Sequence, residues 1–163
     1  MTTVDSSSAV RTAGVTTILG DLVLLVARVG LGVVMIVHAK VAYDYGGSLG
    51  GMVDAFEQSG VPLPAITGPA NLFGELIGGA LLILGFGVPV IGALMAVNMV
   101  GAWIFVHTSG LFAFDRNGPE LVIALGLLSL VLTVTGSGRF GLDHLVFGRT
   151  RRKTTRRPDR DLQ

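Results

Sequence analysis

Glu75 stands inside an apolar run from Asn71 to Gly85, and Arg28 stands inside another from Leu22 to Val37. A charge placed in hydrocarbon costs several kcal/mol unless it is paired or hydrogen-bonded. The spacing therefore predicts that the two are paired or are put to use, with a bidentate Arg28–Glu75 pair as the usual way to make such a layer tolerable. Asn98 lies inside a third apolar run. Near one end of the same runs stand Asn71, His38, His107 and Glu120, with Asn71 and Glu75 spaced i, i+4 on one helix face. Three chemistries fit this set. Histidine and carboxylate can hydrogen-bond a quinone's carbonyls and relay its protons. His38, His107 and Glu120 could ligate Zn²⁺ or Fe²⁺, although no spacing demands a metal. A b-type haem between His38 and His107 ranks last, because both lie close to a surface that would enclose it poorly.

A plainer reading stands beside each of these. A buried Arg28–Glu75 pair can serve only to fix helix register. His38 and His107 suit wet helix ends without any ligand. Glu120, one residue after Pro119, favours a helix dipole in the first turn. Lys40 and Trp103 are expected at a membrane interface and His144 at a surface.

The elements that must position these groups follow from composition. Of the 163 residues, 50% are hydrophobic and 14% charged, against about 25% charged in a typical soluble domain. With a mean hydropathy of +0.69, this is the composition of an integral membrane protein. The 24 glycines suit closely packed transmembrane helices. There is no cysteine, which excludes a CxxC redox pair, c-type haem attachment, Cys-ligated iron–sulfur clusters and disulfides. Electrons, if any are handled, must come from a quinone, a His-held haem or a partner protein.

Four apolar stretches are each about long enough to cross a bilayer: residues 21–41, 66–86, 89–106 and 119–135. The first apolar stretch is read as a retained helix, since its n-region is barely basic and no small-x-small cleavage site follows. Between the first two spans, Leu49, Met52, Val53 and Phe56 recur at helical spacing and predict a short interfacial helix, which Gly60-Val-Pro-Leu-Pro64 ends. Gly74 and Gly78 form a GxxxG pair that permits close packing. The predicted fold is all-α: a membrane-spanning up-down four-helix bundle over residues 18–147, preceded by a disordered lead at 1–17 and followed by a basic disordered tail at 148–163. Counted from the outer ends of the spans, Glu75 lies about 13 Å deep, Asn98 about 12–15 Å and Arg28 about 20 Å. On this count an extended arginine brings Arg28, Glu75 and Asn98 into one layer, with His38 about 80° around the helix from Arg28.

The net charge of +1 hides an asymmetry: 8 of the 12 basic residues fall between Arg139 and the C-terminus. The positive-inside rule then puts both termini in the cytoplasm, where the tail also meets anionic headgroups. Nothing else in the chain supports nucleic-acid binding.

The same residues carry a resemblance. The run Leu25-Val-Ala-Arg28-Val-Gly-Leu-Gly-Val-Val-Met-Ile-Val-His38-Ala-Lys40 resembles the first span of the DoxX family of small bacterial membrane proteins. Phe56 with Gly60-Val-Pro62, Gly74-Glu75-Leu-Ile-Gly-Gly79, Val106-His107, Gly110-Leu-Phe112, Pro119-Glu120 and Gly138-Arg-Phe-Gly-Leu-Asp143 follow in the family's order. The match covers residues 22–147. It departs where the family often has proline before the first-span histidine, since Val37 stands there. The resemblance implies a component of the bacterial plasma membrane linked to an oxidoreductase system, of the kind named for a subunit of a thiosulfate:quinone oxidoreductase. It also implies partners such as a superoxide dismutase and a thiosulfate sulfurtransferase, in resistance to oxidative stress.

Three functions are thus in competition: a membrane subunit of a thiol- or thiosulfate-linked redox complex with a quinone or small-ligand cavity opening outward, a non-enzymatic scaffold that recruits soluble partners through the basic tail, and a small-solute transporter. The last requires a homo-oligomer, because four helices alone enclose too little.

Overall fold

The computed structural model describes residues 6–108 and 118–146, with side chains from residue 18 onward. The described residues form helices and turns with no strand. Among the described residues five helices are bounded at both ends, α1 Ser6–Gly46, α2 Leu49–Gln58, α3 Pro64–Leu84, α4 Val88–Phe105 and α5 Glu120–Thr135, and residues 142–146 are also helical.

Three of them are long and apolar enough to cross a membrane: residues Ile18–Gly46 of α1, α3 and α4. The outward faces of these spans carry Val26, Val33, Ile77, Leu94 and Val97, all exposed, as a lipid-facing surface requires. The protein is therefore a multi-pass membrane protein. The fourth expected span, α5, is apolar but only 16 residues long. At 1.5 Å per residue it covers about 24 Å, short of a bilayer core of about 30 Å.

α1 packs on α3, α3 on α4, α4 on α5 and α5 on α1, while α2 lies against α1 and α3. Leu31, Met35, Leu82, Val88, Met95, Met99, Val122 and Leu132 form the core between them. α1 and α3 approach closely at a pair of glycines. A Cβ at Gly32 would lie 2.5 Å from the Gly79 carbonyl oxygen, and one at Gly79 would lie 2.7 Å from the Gly32 carbonyl oxygen. Only hydrogen on both Cα atoms lets the backbones meet there. The Gly74/Gly78 pair does not form this crossing: Gly74 faces open space, and a Cβ at Gly78 would strike the Met95 methyl of α4.

Residues 6–17 continue the first span as helix. The reason is cooperativity: once the apolar span is a helix, each added residue gains one backbone bond without a new nucleus, and no proline interrupts it. The predicted interfacial helix is α2. Ser48 caps it by accepting the Gly51 N–H at 3.1 Å, and Met52 is its buried residue. The basic tail lies outside the described residues.

Candidate functional site

Glu75 occupies the middle of α3, 1% exposed. Its two carboxylate oxygens are both bonded. Oε2 lies 2.9 Å from His38 Nδ1 on α1, and Oε1 accepts the Asn98 side-chain N–H at 3.0 Å from α4. With the carboxylate ionised it can only accept, in which case His38 presents Nδ1–H to it and Nε2 is left as the acceptor. The Glu75 side chain is 2% exposed and that of His38 is 49% exposed, so a buried carboxyl group orients a half-open imidazole. This is the carboxylate–histidine arrangement that fixes a tautomer and stabilises the imidazolium when the ring takes a proton.

These groups line a groove of ≈ 1120 Å³ bounded by α1, α2, α3 and α4. Its polar lining includes His38, Asn71, Glu75, Asn98 and His107. Its walls are mostly apolar, from residues such as Phe56, Phe73, Leu81, Leu94 and Phe105. A large apolar groove with a few convergent polar groups is the usual form of a small-molecule site. Phe73, Ile77 and Val97 are also among the exposed apolar side chains of α3 and α4, so this wall faces the membrane interior as well as the groove.

Five of the seven predicted site residues thus come together. Arg28 does not. Its Nη1 donates to the carbonyls of Leu82 at 3.2 Å and Ile83 at 3.0 Å, and its Nη2 to that of Phe140 at 2.8 Å. It clasps the C-terminal turn of α3 to the segment after α5, which corrects the expected Arg28–Glu75 layer. The physical cause is the length of α1. The helix continues to Gly46, so Arg28 lies about 27 Å from its end, whereas Glu75 lies about 16.5 Å from the start of α3. Carbonyls in the last turn of a helix keep accepting capacity and attract a cation; that of Leu82 accepts the Gly85 N–H at 3.1 Å as well as Arg28.

Glu120 opens α5 and is not part of the groove lining; its carboxylate lies close against Gly118. Among the described residues no three His, Asp or Glu side chains come close enough together to hold a metal ion, so His38, His107 and Glu120 are not assembled as a metal site. His38 is instead committed to Glu75 through Nδ1.

Sequence reasoning missed Asp143 and Asp21. Asp143 accepts the N–H groups of Gly87 at 2.8 Å and Val88 at 3.1 Å, capping α4 where Gly87 has no side chain to do so. Asp21 accepts the Arg139 N–H at 3.1 Å. The only signal for either was a carboxylate beside an apolar run, which does not name a partner more than 50 residues away.

The DoxX family model matches residues 23–108, which include His38, Glu75, Asn98 and His107. A Bacillus subtilis protein bearing the name "Putative oxidoreductase CatD" is 31% identical over 123 residues, covering 76% of this chain and 86% of that protein. A Haemophilus influenzae protein named "Uncharacterized protein" is 36% identical over 76 residues, 45% of this chain and 57% of its own length. The chain belongs to the DoxX family. No solved structure matches it.

Proposed function

We propose that this chain is the membrane subunit of an oxidoreductase-linked assembly, and that its groove takes a quinone or a similar flat amphiphile. The observation that carries this reading is the Glu75–His38–Asn98 cluster on the wall of a large apolar groove. The relative named as an oxidoreductase supports the redox link.

The donor set fits such a ligand. Asn71 and His107 stand on the lining with His38 and offer hydrogen bonds for carbonyl or hydroxyl oxygens. The apolar walls suit a ring and a hydrocarbon tail. A quinone held there would supply the two-electron chemistry that a chain without cysteine lacks. The chain's own part is protonic. His38 Nε2 accepts a proton from a ligand hydroxyl or returns one to a ligand oxygen, and the buried Glu75 carboxylate stabilises the charged ring. Asn98 holds the carboxylate in place through its second oxygen.

In this reading α1, α3, α4 and α5 form an up-down four-helix bundle in the bacterial plasma membrane, with both termini cytoplasmic and the groove opening outward. Soluble redox partners, such as a superoxide dismutase or a sulfurtransferase, would complete the assembly. Solvent extraction of the purified protein followed by chromatography tests the ligand. Wild-type protein should yield about one quinone per chain and Glu75→Ala protein far less. Equal, trace amounts from both would refute the reading.

A further inference from the structure

The groove around Glu75 has two unlike halves. Along α3 its lining runs from Thr67 to Leu81, about 21 Å at 1.5 Å per residue, with Glu75 just past the midpoint. Toward α2 the lining carries Tyr45, Ser59, Thr67, Asn71 and His107. Toward the turn between α3 and α4 it carries Ile77, Gly78, Leu81, Ile91, Leu94 and Met95, and among the described residues no polar side chain. Glu75 and Asn98 mark the border between the halves.

The apolar half is open sideways. Ile77 on α3 and Leu94 on α4 both line the groove and are each 58% exposed. Phe73 and Val97, also exposed, continue the same two edges about one turn nearer α2. Exposed apolar side chains at this depth meet lipid. Between the edges Gly78 supplies no side chain. A Cβ there would lie 2.7 Å from the Met95 methyl, so a larger residue must displace Met95 or grow into the groove.

Depth restricts the ligand's head. Glu75 lies about 16.5 Å along α3, near the middle of a hydrocarbon core of about 30 Å. A charged headgroup is strongly disfavoured there, so the head is uncharged and bonds through neutral oxygens. On the reading that the Glu75 cluster holds that head, we infer that the gap between α3 and α4 holds the tail of a long-chain lipid. The tail lies over Gly78 and Leu81 on one side and Ile91 and Leu94 on the other, and runs out between Ile77 and Leu94 into the bilayer. The ligand is then drawn from the membrane rather than from water. A tail moving from lipid onto this track gains little apolar burial, because lipid is as apolar as leucine. The track therefore fixes which way the head points, and it leaves the α2 half clear for proton exchange at His38.

Photolabelling of the full chain in lipid nanodiscs tests this, with a decylbenzoquinone that carries a diazirine at mid-chain. Saturable labels should map to residues 77–81 and 91–95 and should be lost in Glu75→Ala. Gly78→Leu, which puts a side chain into the track, should weaken the tailed probe about tenfold more than a tailless benzoquinone. Labels on α2 or on residues 61–67 that still depend on Glu75 would overturn the tail track and leave the head site standing. Equal weakening of the two ligands by Gly78→Leu would do the same. No saturable labelling of the wild type would overturn both the track and the head site.

Discussion

Replacing Arg28 with alanine should destabilise the protein without emptying the groove. The side chain makes three hydrogen bonds from a charged donor, two to the α3 terminus and one to Phe140. At about 1.5–3 kcal/mol each, their gross worth is about 4.5–9 kcal/mol. Two terms oppose this. Removing the guanidinium also removes the desolvation it suffers at 1% exposure, and its Nε already lacks an acceptor. A net loss of about 3–5 kcal/mol follows, as when a buried charged partner is deleted. At about 2–4 °C per kcal/mol for a chain of this size, the melting temperature in detergent should fall by about 6–20 °C. Arg28→Lys should fall between the two, because one ammonium cannot span both the α3 carbonyls and Phe140. Thermal unfolding followed by circular dichroism, with ligand binding measured well below the transition, checks both halves. A shift under about 2 °C for Arg28→Ala would refute the clasp. A folded Arg28→Ala protein with no ligand binding would return Arg28 to the groove.

Three further outcomes follow. Gly79→Val should prevent stable folding, since its Cβ would meet the Gly32 carbonyl oxygen at 2.7 Å, whereas Gly74→Ala, in open space, should change stability by less than about 1 kcal/mol; denaturation of the two variants side by side decides this. Asp143→Ala should cost about 1–2 kcal/mol by uncapping α4, and proteolysis should then cut first in the 136–143 segment. Asn98→Ala should leave Glu75 Oε1 without a donor and weaken ligand binding about tenfold, with His38→Ala weakening it at least as much; binding titrations on both would contradict the cluster if neither changed affinity.

The reach of sequence reading here divides along chain distance. The helices were legible because an apolar run of bilayer length admits few other structures, and Leu49, Met52, Val53 and Phe56 announced α2 by their spacing. The burial of Glu75 was legible for the same reason. Its partners were only half legible. His38 and Asn98 stood in the right runs, but Arg28 was the stronger charge and drew the pairing on paper. The depth count took the first span to end at Val41, and the helix continues to Gly46. Five residues are about 7.5 Å, enough to carry Arg28 out of the Glu75 layer to the far end of α3. The shortness of α5 was legible too, because Pro119 and Gly136 bound it, whereas the capping of α4 by Asp143 depends on a contact between distant segments for which local sequence holds no signal.

The Glu75-centred groove is tested most directly by titrating the full-length protein in detergent with a short-chain quinone and counting bound ligand by native mass spectrometry. Wild-type protein should bind one molecule per chain in a saturable way, Arg28→Lys should bind it with unchanged affinity, and Glu75→Ala should bind none. Undiminished binding by Glu75→Ala, or no saturable binding by the wild type, would contradict the account.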